Sequence, residues 1–229
     1  MRNLLFITML LGVGYSQDCD PDADVGWNCD CNESTWETYY DSEGHNMEGC
    51  FLYQANLQGA WIPQADLEGA NLTGADLEVA NLVGASLRGA DLKYAHLYYA
   101  SLDGANLYGA ELGWANLYGA SFTLANISNA TLNGASLQEA LLSHANLYGA
   151  ELTNADLANA NCYGAFFVGA ILDNTNFDGA DLTSAYFDEN LDGYDDVSFD
   201  AGSQTGDVNL DGELNILDLV TSANNILEN

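Results

Sequence analysis

Hydrophobic residues recur at every fifth position through most of the chain. Alanine occupies every fifth place from Ala55 to Ala185, with Thr175 as the one exception. Two places after each alanine lies leucine, isoleucine or phenylalanine, and Cys162 is the one departure. Counted by these central residues, the stretch 52–187 comprises 28 units and takes up 136 of the 229 residues. One rule therefore decides the conformation of most of the molecule.

A period of five suits neither regular secondary structure. Five residues of α-helix turn by about 140° beyond one full circle, so the leucines would spread around the whole helix. In a continuous strand, an odd period would send successive leucines to opposite faces. The pattern instead predicts a short extended step followed by a tight turn. In the unit Ala105-Asn106-Leu107-Tyr108-Gly109, alanine and leucine would face inward and the last two residues would form the corner. Thirteen units end in glycine, which adopts positive φ without steric cost.

Units such as 105–109, 115–119 and 145–149 resemble those of the pentapeptide-repeat family, whose pattern is A-[D/N]-L-x-x. The resemblance implies an all-β fold, a right-handed quadrilateral β-helix with four units per coil. The 28 units would then form seven coils. At about 4.8 Å per coil, the rod would be about 34 Å long. Side chains would fill its interior and leave neither a lumen nor a deep cleft.

The N-terminal residues have the features of a signal peptide. Met1-Arg2-Asn3 precedes the apolar run 4–13, and Gly14-Tyr15-Ser16 follows it. The apolar run is too short to span a membrane. The sequence therefore predicts cleavage after residue 16 and a secreted protein, extracellular or periplasmic. The alternative is a hydrophobic N-terminal stub on a cytosolic protein.

Cysteine usage agrees with export. Cys19, Cys29, Cys31 and Cys50 form an even set before the repeats, which predicts two disulfides in an oxidising compartment. The pairings 19–29 with 31–50, or 19–31 with 29–50, are both expected to be feasible. A zinc site is the runner-up, although the spacing is unlike the usual C-x-x-C pairs. Cys162 falls at an inward position and is expected to be a buried free thiol.

The segment 17–51 is predicted to cover the first coil, because a solenoid exposes an unpaired edge at each end. Ser34-Thr35-Trp36-Glu37 fits a capping box and predicts a short helix through Tyr40. Trp36, Tyr39 and Tyr40 would rest on the first coil.

The C-terminal segment 188–229 contains a calcium-binding pattern. From Asp207 onward, oxygen-bearing side chains occupy positions 1, 3, 5, 9 and 12, and glycine occupies position 6. This spacing lets one loop wrap a calcium ion after a sharp turn. The predicted ligands are Asp207, Asn209, Asp211, Asn215 and Asp218, with the backbone carbonyl of Glu213. An amphipathic helix is expected to follow.

A second, weaker loop precedes the first one. It shares the opening pattern, but its twelfth position is Phe199 instead of an acid, so its calcium shell would be incomplete. Its candidate ligands are Asp188, Asn190, Asp192, Tyr194 and Asp196.

Gly206 through Leu227 is similar to one segment of a type I dockerin, the calcium module that joins extracellular enzymes to cohesin scaffolds. A dockerin has two such segments, and only one is complete here. The usual partner-contact positions hold Ile216, Leu217 and Ala223. Calcium ligation therefore carries over well and cohesin binding carries over poorly. Two roles stay open for this tail, a cover for the last coil and a docking module for a cohesin-like extracellular protein.

Residues 20 apart would stack on the same side of a four-unit coil, which brings exposed aromatic side chains together. The predicted surface patch consists of Tyr94, Tyr98, Tyr99, Trp114 and Tyr118. Such a patch could stack on the sugar rings of a carbohydrate or seat a protein partner. The alternative is that these rings only pack coil against coil.

Charge and missing motifs restrict the function further. The chain has 34 acidic and 3 basic residues, a net charge of −31, which disfavours nucleic acid and anionic membranes as partners. No nucleophile–base pair, phosphate loop or pair of carboxylates over a cleft is recognisable, so no enzymatic activity is expected. The preferred hypothesis is a secreted, calcium-stabilised structural or binding solenoid. The less favoured alternatives are a topoisomerase-binding DNA mimic, as the family resemblance implies, and a polysaccharide-acting β-helix enzyme.

Overall fold

A computed structural model describes residues 28–41 and 44–187 of the chain. The predicted signal peptide, Cys19 and both predicted calcium loops lie outside the described residues. Within these two ranges, no helix has the length and apolar character needed to cross a membrane.

Three short elements precede the repeats. Strand β1 spans Asn28–Asn32, helix α1 spans Trp36–Tyr40, and strand β2 spans Cys50–Phe51. β1 and β2 pair in parallel. The helix is present where the sequence predicted one, but the capping box is wrong: the N-cap is Thr35, and its side chain makes no cap hydrogen bond. The Thr35 hydroxyl accepts the backbone N–H of Asn32 instead, at 3.0 Å.

Parallel bridges between residues 20 apart organise the rest of the molecule. They run without a gap from the pair Asn46 and Asp66 to the pair Phe166 and Tyr186, one bridge for every five residues. A spacing of 20 residues means that four five-residue units complete one turn, so the chain winds into a four-sided parallel β-helix. The bridged segment spans seven such intervals. A turn ends each extended step after a few residues, so the coils pair through single bridges and not through long strands.

Three sets of backbone hydrogen bonds hold adjacent coils together, and a fourth closes each corner. One of the three is donated by the N–H of the second turn residue to a carbonyl in the next coil. The N–H of Leu72 donates to the Asp91 carbonyl in the next coil at 2.7 Å, and the N–H of Asn71 donates to the Cys50 carbonyl in the previous coil at 2.9 Å. The corner is closed by the N–H of Ala75, which donates to the Leu72 carbonyl at 2.9 Å. Glycine or another residue with positive φ stands at the second turn position, as a type II turn requires.

The residue between alanine and leucine has a local role that explains the preference for Asp or Asn. Its side-chain oxygen accepts the backbone N–H two residues later; for example, Oδ1 of Asn71 accepts the N–H of Thr73 at 3.0 Å. Asparagines in one column also bond to each other. Nδ2 of Asn126 donates to Oδ1 of Asn106 at 3.1 Å, and Nδ2 of Asn146 donates to Oδ1 of Asn126 at 3.4 Å. The three asparagines thus form a ladder of side-chain amides along the rod.

Alanine and leucine side chains fill the interior of the rod. Nearly all of them are fully buried, and each buried leucine contributes roughly 1.5–3 kcal/mol to stability. The two departures from the repeat fit the same interior. Thr175 is buried, and its hydroxyl donates to the Leu152 carbonyl at 2.9 Å. Cys162 is a buried free thiol, and burial, with the nearby charge of Asp181, raises its pKa to about 12.

The four sides are named here by their central residues. Wall 1 is centred on Leu52, wall 2 on Leu57, wall 3 on Ile62 and wall 4 on Leu67, and each wall continues at intervals of 20 residues. A column denotes equivalent positions of one wall in successive coils.

The segment before the repeats packs on the first coils. Trp36, Tyr39 and Tyr40 are partly buried against the core, and the Tyr40 hydroxyl donates to the Pro63 carbonyl at 3.2 Å. The Tyr40 ring also stacks on the ring of His45, with 4.4 Å between centroids. The three aromatic side chains thus cover the N-terminal end of the solenoid. This role explains why their segment does not have the five-residue repeat.

The last described coil is less completely covered. Ala180, Leu182, Ala185 and Phe187 occupy inward positions but are only partly buried, whereas their equivalents in the preceding coil are fully buried. Phe187 stacks on Phe167 of the preceding coil, with 5.1 Å between ring centroids. The apolar interior thus continues up to residue 187, where the C-terminal segment begins.

Candidate functional site: an aromatic face on wall 2

The predicted surface patch is present as two sets of ring contacts, one at each of two neighbouring corners. We call the five residues Tyr94, Tyr98, Tyr99, Trp114 and Tyr118 the aromatic face. Tyr94 and Trp114 close wall 1 in successive coils, and the other three lie at the turn that closes wall 2. The two groups of rings therefore stand at the two corners that border wall 2.

The rings stack in pairs, one coil apart. Tyr94 and Trp114 are 5.9 Å apart between centroids, with planes 13° from parallel. Tyr98 and Tyr118 are 5.3 Å apart, with planes at 16°. Tyr99 contacts both members of the second pair edge-on, at 4.3 and 5.8 Å. Stacking of this kind contributes about 0.5–1.5 kcal/mol per pair, so part of the role of the patch is coil-to-coil packing.

Packing does not hide these rings. The side chain of Trp114 is 63% exposed, that of Tyr94 56% and that of Tyr99 48%. All three residues also have positive φ, between 52° and 59°, a conformation that costs a residue with a side chain roughly 1–2 kcal/mol. Large apolar side chains are thus held at strained turn positions and remain largely in solvent. Such a surface is suited to binding another molecule.

Hydroxyl groups on this face are tied to each other and to a carboxylate. A hydrogen bond to Glu139, aided by burial, raises the pKa of Tyr118 to about 12. A hydrogen bond to Tyr99 raises the pKa of Tyr98. Both tyrosines are therefore neutral at physiological pH, and their rings are held in place at the polar end as well as by stacking.

The wall between the two corners carries polar side chains. His96 and Asn116 stand at its outward position in successive coils and bridge through their backbones. On wall 1, the Lys93 ammonium pairs with Glu111 and, at 3.4 Å, with Asp91. The hydrogen bond to Glu111 is the main reason that the pKa of Lys93 is raised. Lys93, the cation of wall 1 near the aromatic face, is thus already paired with two carboxylates.

A regular packing relation at the turns was not evident from the sequence. A non-glycine side chain at the second turn position lies over the glycine that stands 20 residues later. A Cβ built on Gly134 would lie only 2.6 Å from Nε1 of Trp114, and Gly119 lies in the same way beneath the ring of Tyr99. Glycine at these positions avoids the strain of positive φ and leaves room for the ring.

Replacing Gly134 by alanine tests this relation. Gly134→Ala and the control Gly104→Ala both place a Cβ at positive φ, +68° and +63°, so each is expected to lose about 1–2 kcal/mol of unfolding free energy. No atom lies within 4 Å of the new Cβ at Gly104, so only Gly134→Ala should displace the indole. We expect a shift in tryptophan emission for Gly134→Ala alone. Identical spectra for the two variants would contradict the packing of Trp114 over Gly134.

Cys31 and Cys50 form a disulfide. This is the pairing that belongs to the first of the two connectivities allowed by the sequence. Their bond ties β1 to β2 and so fastens the N-terminal cover to the first coil.

In the part of the chain that the structure describes, no three His, Cys, Asp or Glu residues come together in a way that could hold a metal ion. His144 lies over Gly164 and contacts Tyr163 edge-on, at 5.3 Å between ring centroids. The predicted calcium ligands all lie beyond residue 187 and stay predictions.

Known proteins share this repeat. The family model of pentapeptide repeats matches residues 50–89, 85–123, 120–157 and 150–188, which together make up more than half of the chain. No curated protein matches the sequence.

Solved structures with the same repeat are similar to parts of this chain. HetL of the cyanobacterium Nostoc sp. strain PCC 7120, involved in heterocyst differentiation regulation, is 27% identical; the match covers 66% of this chain and 89% of HetL, with a TM-score of 0.40. Rfr23 of the cyanobacterium Cyanothece 51142 is 36% identical over 44% of this chain and 61% of its own, with a TM-score of 0.31. QnrB1, a plasmid-mediated fluoroquinolone resistance protein, is 17% identical over 63% of this chain and 83% of its own, with a TM-score of 0.44.

These TM-scores are all below 0.5, so the assignment depends on the family model and on the geometry of the ladder. The match covers the same residues that bridge at intervals of 20. The chain belongs to the pentapeptide-repeat family, and its repeats form the right-handed quadrilateral β-helix of that family.

Proposed function

We propose that this protein is a secreted, non-enzymatic binding rod whose C-terminal end is stabilised by calcium. The observation that carries the binding role is the aromatic face, a set of stacked but exposed rings on a rod whose interior is filled. Pentapeptide-repeat proteins are generally structural or binding proteins, which agrees with this role. Side chains fill the interior of the described coils, so interactions with other molecules would take place on the outer walls.

The proposed place of calcium is the segment that follows the last described coil. Its support comes from two sides. The spacing of ligands from Asp207 to Asp218 fits a calcium loop followed by an amphipathic helix. The last coil leaves Leu182 and Phe187 only partly buried, so an apolar helix face beyond residue 187 would find a surface to cover. Calcium would hold that cover in shape.

Removal of calcium is expected to destabilise the protein. A ligand that binds only the folded state adds about 2.7 kcal/mol when its concentration is 100 times the dissociation constant. We therefore expect EDTA to lower the melting temperature of the full mature chain and calcium to restore it. Calorimetric titration should show calcium uptake that the variant Asp207→Ala/Asp211→Ala lacks. The control Asp200→Ala removes an acid outside this loop and should behave as wild type.

Absence of calcium uptake by the purified mature chain would remove calcium from the proposal. A melting temperature that falls equally in EDTA for wild type and for Asp207→Ala/Asp211→Ala would show that EDTA acts elsewhere. If the tail is instead a docking module, a pull-down with the full chain should capture cohesin domains. A chain that lacks residues 188–229 should not capture them. Lack of retention with intact calcium binding would leave the cover as the role of this tail.

Export is tested separately. The proposal predicts that the secreted fraction contains a chain that begins at Gln17, as the sequence from 1 to 16 suggests. Intact mass measurement of the secreted protein would verify this cleavage. A chain that retains Met1 and stays in the cytosol would contradict secretion without affecting the binding role of the rod.

A further inference from the structure

Negative charge is concentrated on the walls that carry the aromatic face. Of the 13 carboxylates in residues 52–187, nine belong to walls 1 and 2, four on the first and five on the second. Wall 2 contains no lysine or arginine in any of its units from 55–59 to 175–179. Its carboxylates belong to Asp76, Glu78, Glu139, Asp156 and Asp178. The aromatic face thus borders a negative strip that contains His96 but no lysine or arginine of its own.

Wall 4, another side of the same rod, contains a bound cation, the guanidinium of Arg88. Nε of Arg88 lies 4.0 Å from Oε1 of Glu68 in the preceding coil. Its Cζ lies 5.9 Å from the centre of the Tyr108 ring in the following coil. The three residues occupy the same turn position of wall 4 in successive coils. A guanidinium is therefore held within one column by a carboxylate on one side and a ring on the other.

Wall 2 has the equivalent column without the cation. In successive coils, its first turn position holds Glu78, Tyr98 and Tyr118. This is the turn position that holds the arginine and its two partners on wall 4. The carboxylate of Glu139 lies next to the end of this column, where it is hydrogen-bonded to Tyr118. Carboxylates and half-buried rings are thus arranged along wall 2 with no arginine between them.

We propose that the aromatic face binds an arginine-bearing basic segment of a partner protein. Each guanidinium would stack on an exposed ring and face a carboxylate of wall 2, as Arg88 does on wall 4. Arginine suits this surface better than lysine because its planar, weakly hydrated guanidinium stacks on aromatic rings. A neutral sugar would use the rings but would leave the charge of the carboxylates without a counterpart. The inference rests on the proposed binding role of the rod and does not involve the calcium segment.

The test uses the full mature chain and peptides of defined composition. An alternating Gly-Arg peptide is titrated calorimetrically, with an alternating Gly-Lys peptide of equal length and the neutral sugar cellohexaose as comparisons. We expect the Gly-Arg peptide to bind more tightly than the Gly-Lys peptide, and cellohexaose not to bind. Affinity for the Gly-Arg peptide should fall as sodium chloride is raised, because salt screens its attraction to the carboxylates.

Two glycine variants separate the aromatic face from general attraction to an acidic protein. Trp114→Gly removes the most exposed ring of the face. Leu124→Gly removes an equally exposed apolar side chain from the same turn position on wall 3. Both positions have positive φ, and glycine stands there in thirteen units, so both variants are expected to fold. We expect Trp114→Gly to weaken Gly-Arg binding roughly tenfold and Leu124→Gly to leave it unchanged.

Equal binding of the Gly-Arg and Gly-Lys peptides, unaffected by Trp114→Gly, would reduce the interaction to general charge attraction and overturn the inference. Binding of cellohexaose that Trp114→Gly abolishes, without binding of the Gly-Arg peptide, would assign the face to carbohydrate and also overturn it. The titrations are repeated in EDTA and in calcium. Binding of the Gly-Arg peptide that is independent of calcium supports this inference even where calcium stabilisation fails, so the two proposals are tested separately.

Discussion

Leu107→Asp is expected to abolish folding of the rod. Leu107 is fully buried midway along the repeats, where the new carboxylate would have neither water nor a basic partner inside the coil. Burying an unpaired charge costs several kcal/mol, to which the lost contacts of leucine are added. This sum is comparable to the whole stability of an ordinary domain, about 5–15 kcal/mol. Far-UV circular dichroism and sedimentation should show an unfolded or aggregated chain.

The matched control for this variant is Asn106→Asp, which adds the same charge one residue away. Asn106 stands at the outward position, and its Oδ1 accepts hydrogen bonds from the N–H of Tyr108 at 3.2 Å and from Nδ2 of Asn126 at 3.1 Å. A carboxylate can accept both hydrogen bonds, so the control should stay within about 1 kcal/mol of wild type. A Leu107→Asp protein as soluble and heat-resistant as this control would refute the inward assignment of the leucines.

Removal of the disulfide is expected to have the second largest effect. Cys31 and Cys50 are 19 residues apart, and closing a loop of this length stabilises a protein by about 3 kcal/mol. In the double variant Cys31→Ala/Cys50→Ala, we expect the loss to appear first at the N-terminal coils. A solenoid opens from its ends, because each coil contacts only its neighbours.

Hydrogen exchange measures where that loss occurs. Amides of the first coils should exchange faster in Cys31→Ala/Cys50→Ala, whereas those near residues 145–165 should stay protected. The control Cys162→Ala removes a buried cysteine that forms no disulfide, so it should cost less and leave the N-terminal coils unchanged. Uniformly faster exchange along the whole rod would contradict opening from the end.

The period of five predicted most of what the structure shows. It required a turn in each unit and inward alanine and leucine. The stacking of residues 20 apart, and with it the pairs Tyr94–Trp114 and Tyr98–Tyr118, followed from the four units per coil that the family resemblance implies. All of these are properties of the backbone path, which repetition determines. The outward Asp or Asn fits the same logic, although its hydrogen bond to the N–H two residues later is clear only from the structure.

Features that depend on the rotamer of one side chain could not be predicted from the sequence. A repeat pattern does not specify side-chain torsion angles. Three features depend on them: the position of the Trp114 ring over Gly134, the hydrogen bond between Tyr118 and Glu139, and the placement of Arg88 between Glu68 and Tyr108. The N-cap is a similar case, since Ser34 and Thr35 have the same capping chemistry and only the structure shows that the helix begins after Thr35. The choice between two disulfide connectivities depended likewise on the course of β1 beside β2.

The 20-residue spacing of the bridges also limits how such a gene can change in length. Deleting one five-residue unit from the middle of the ladder would rotate everything beyond it by a quarter of a circle, so that Tyr94 and Trp114 would no longer meet if the loss fell between them. Deleting four units would shorten the rod by one coil, about 4.8 Å, and would leave the remaining residues of each column aligned as before. Viable insertions and deletions in this lineage are therefore expected in multiples of 60 nucleotides, since each of the 20 residues in a turn needs one codon.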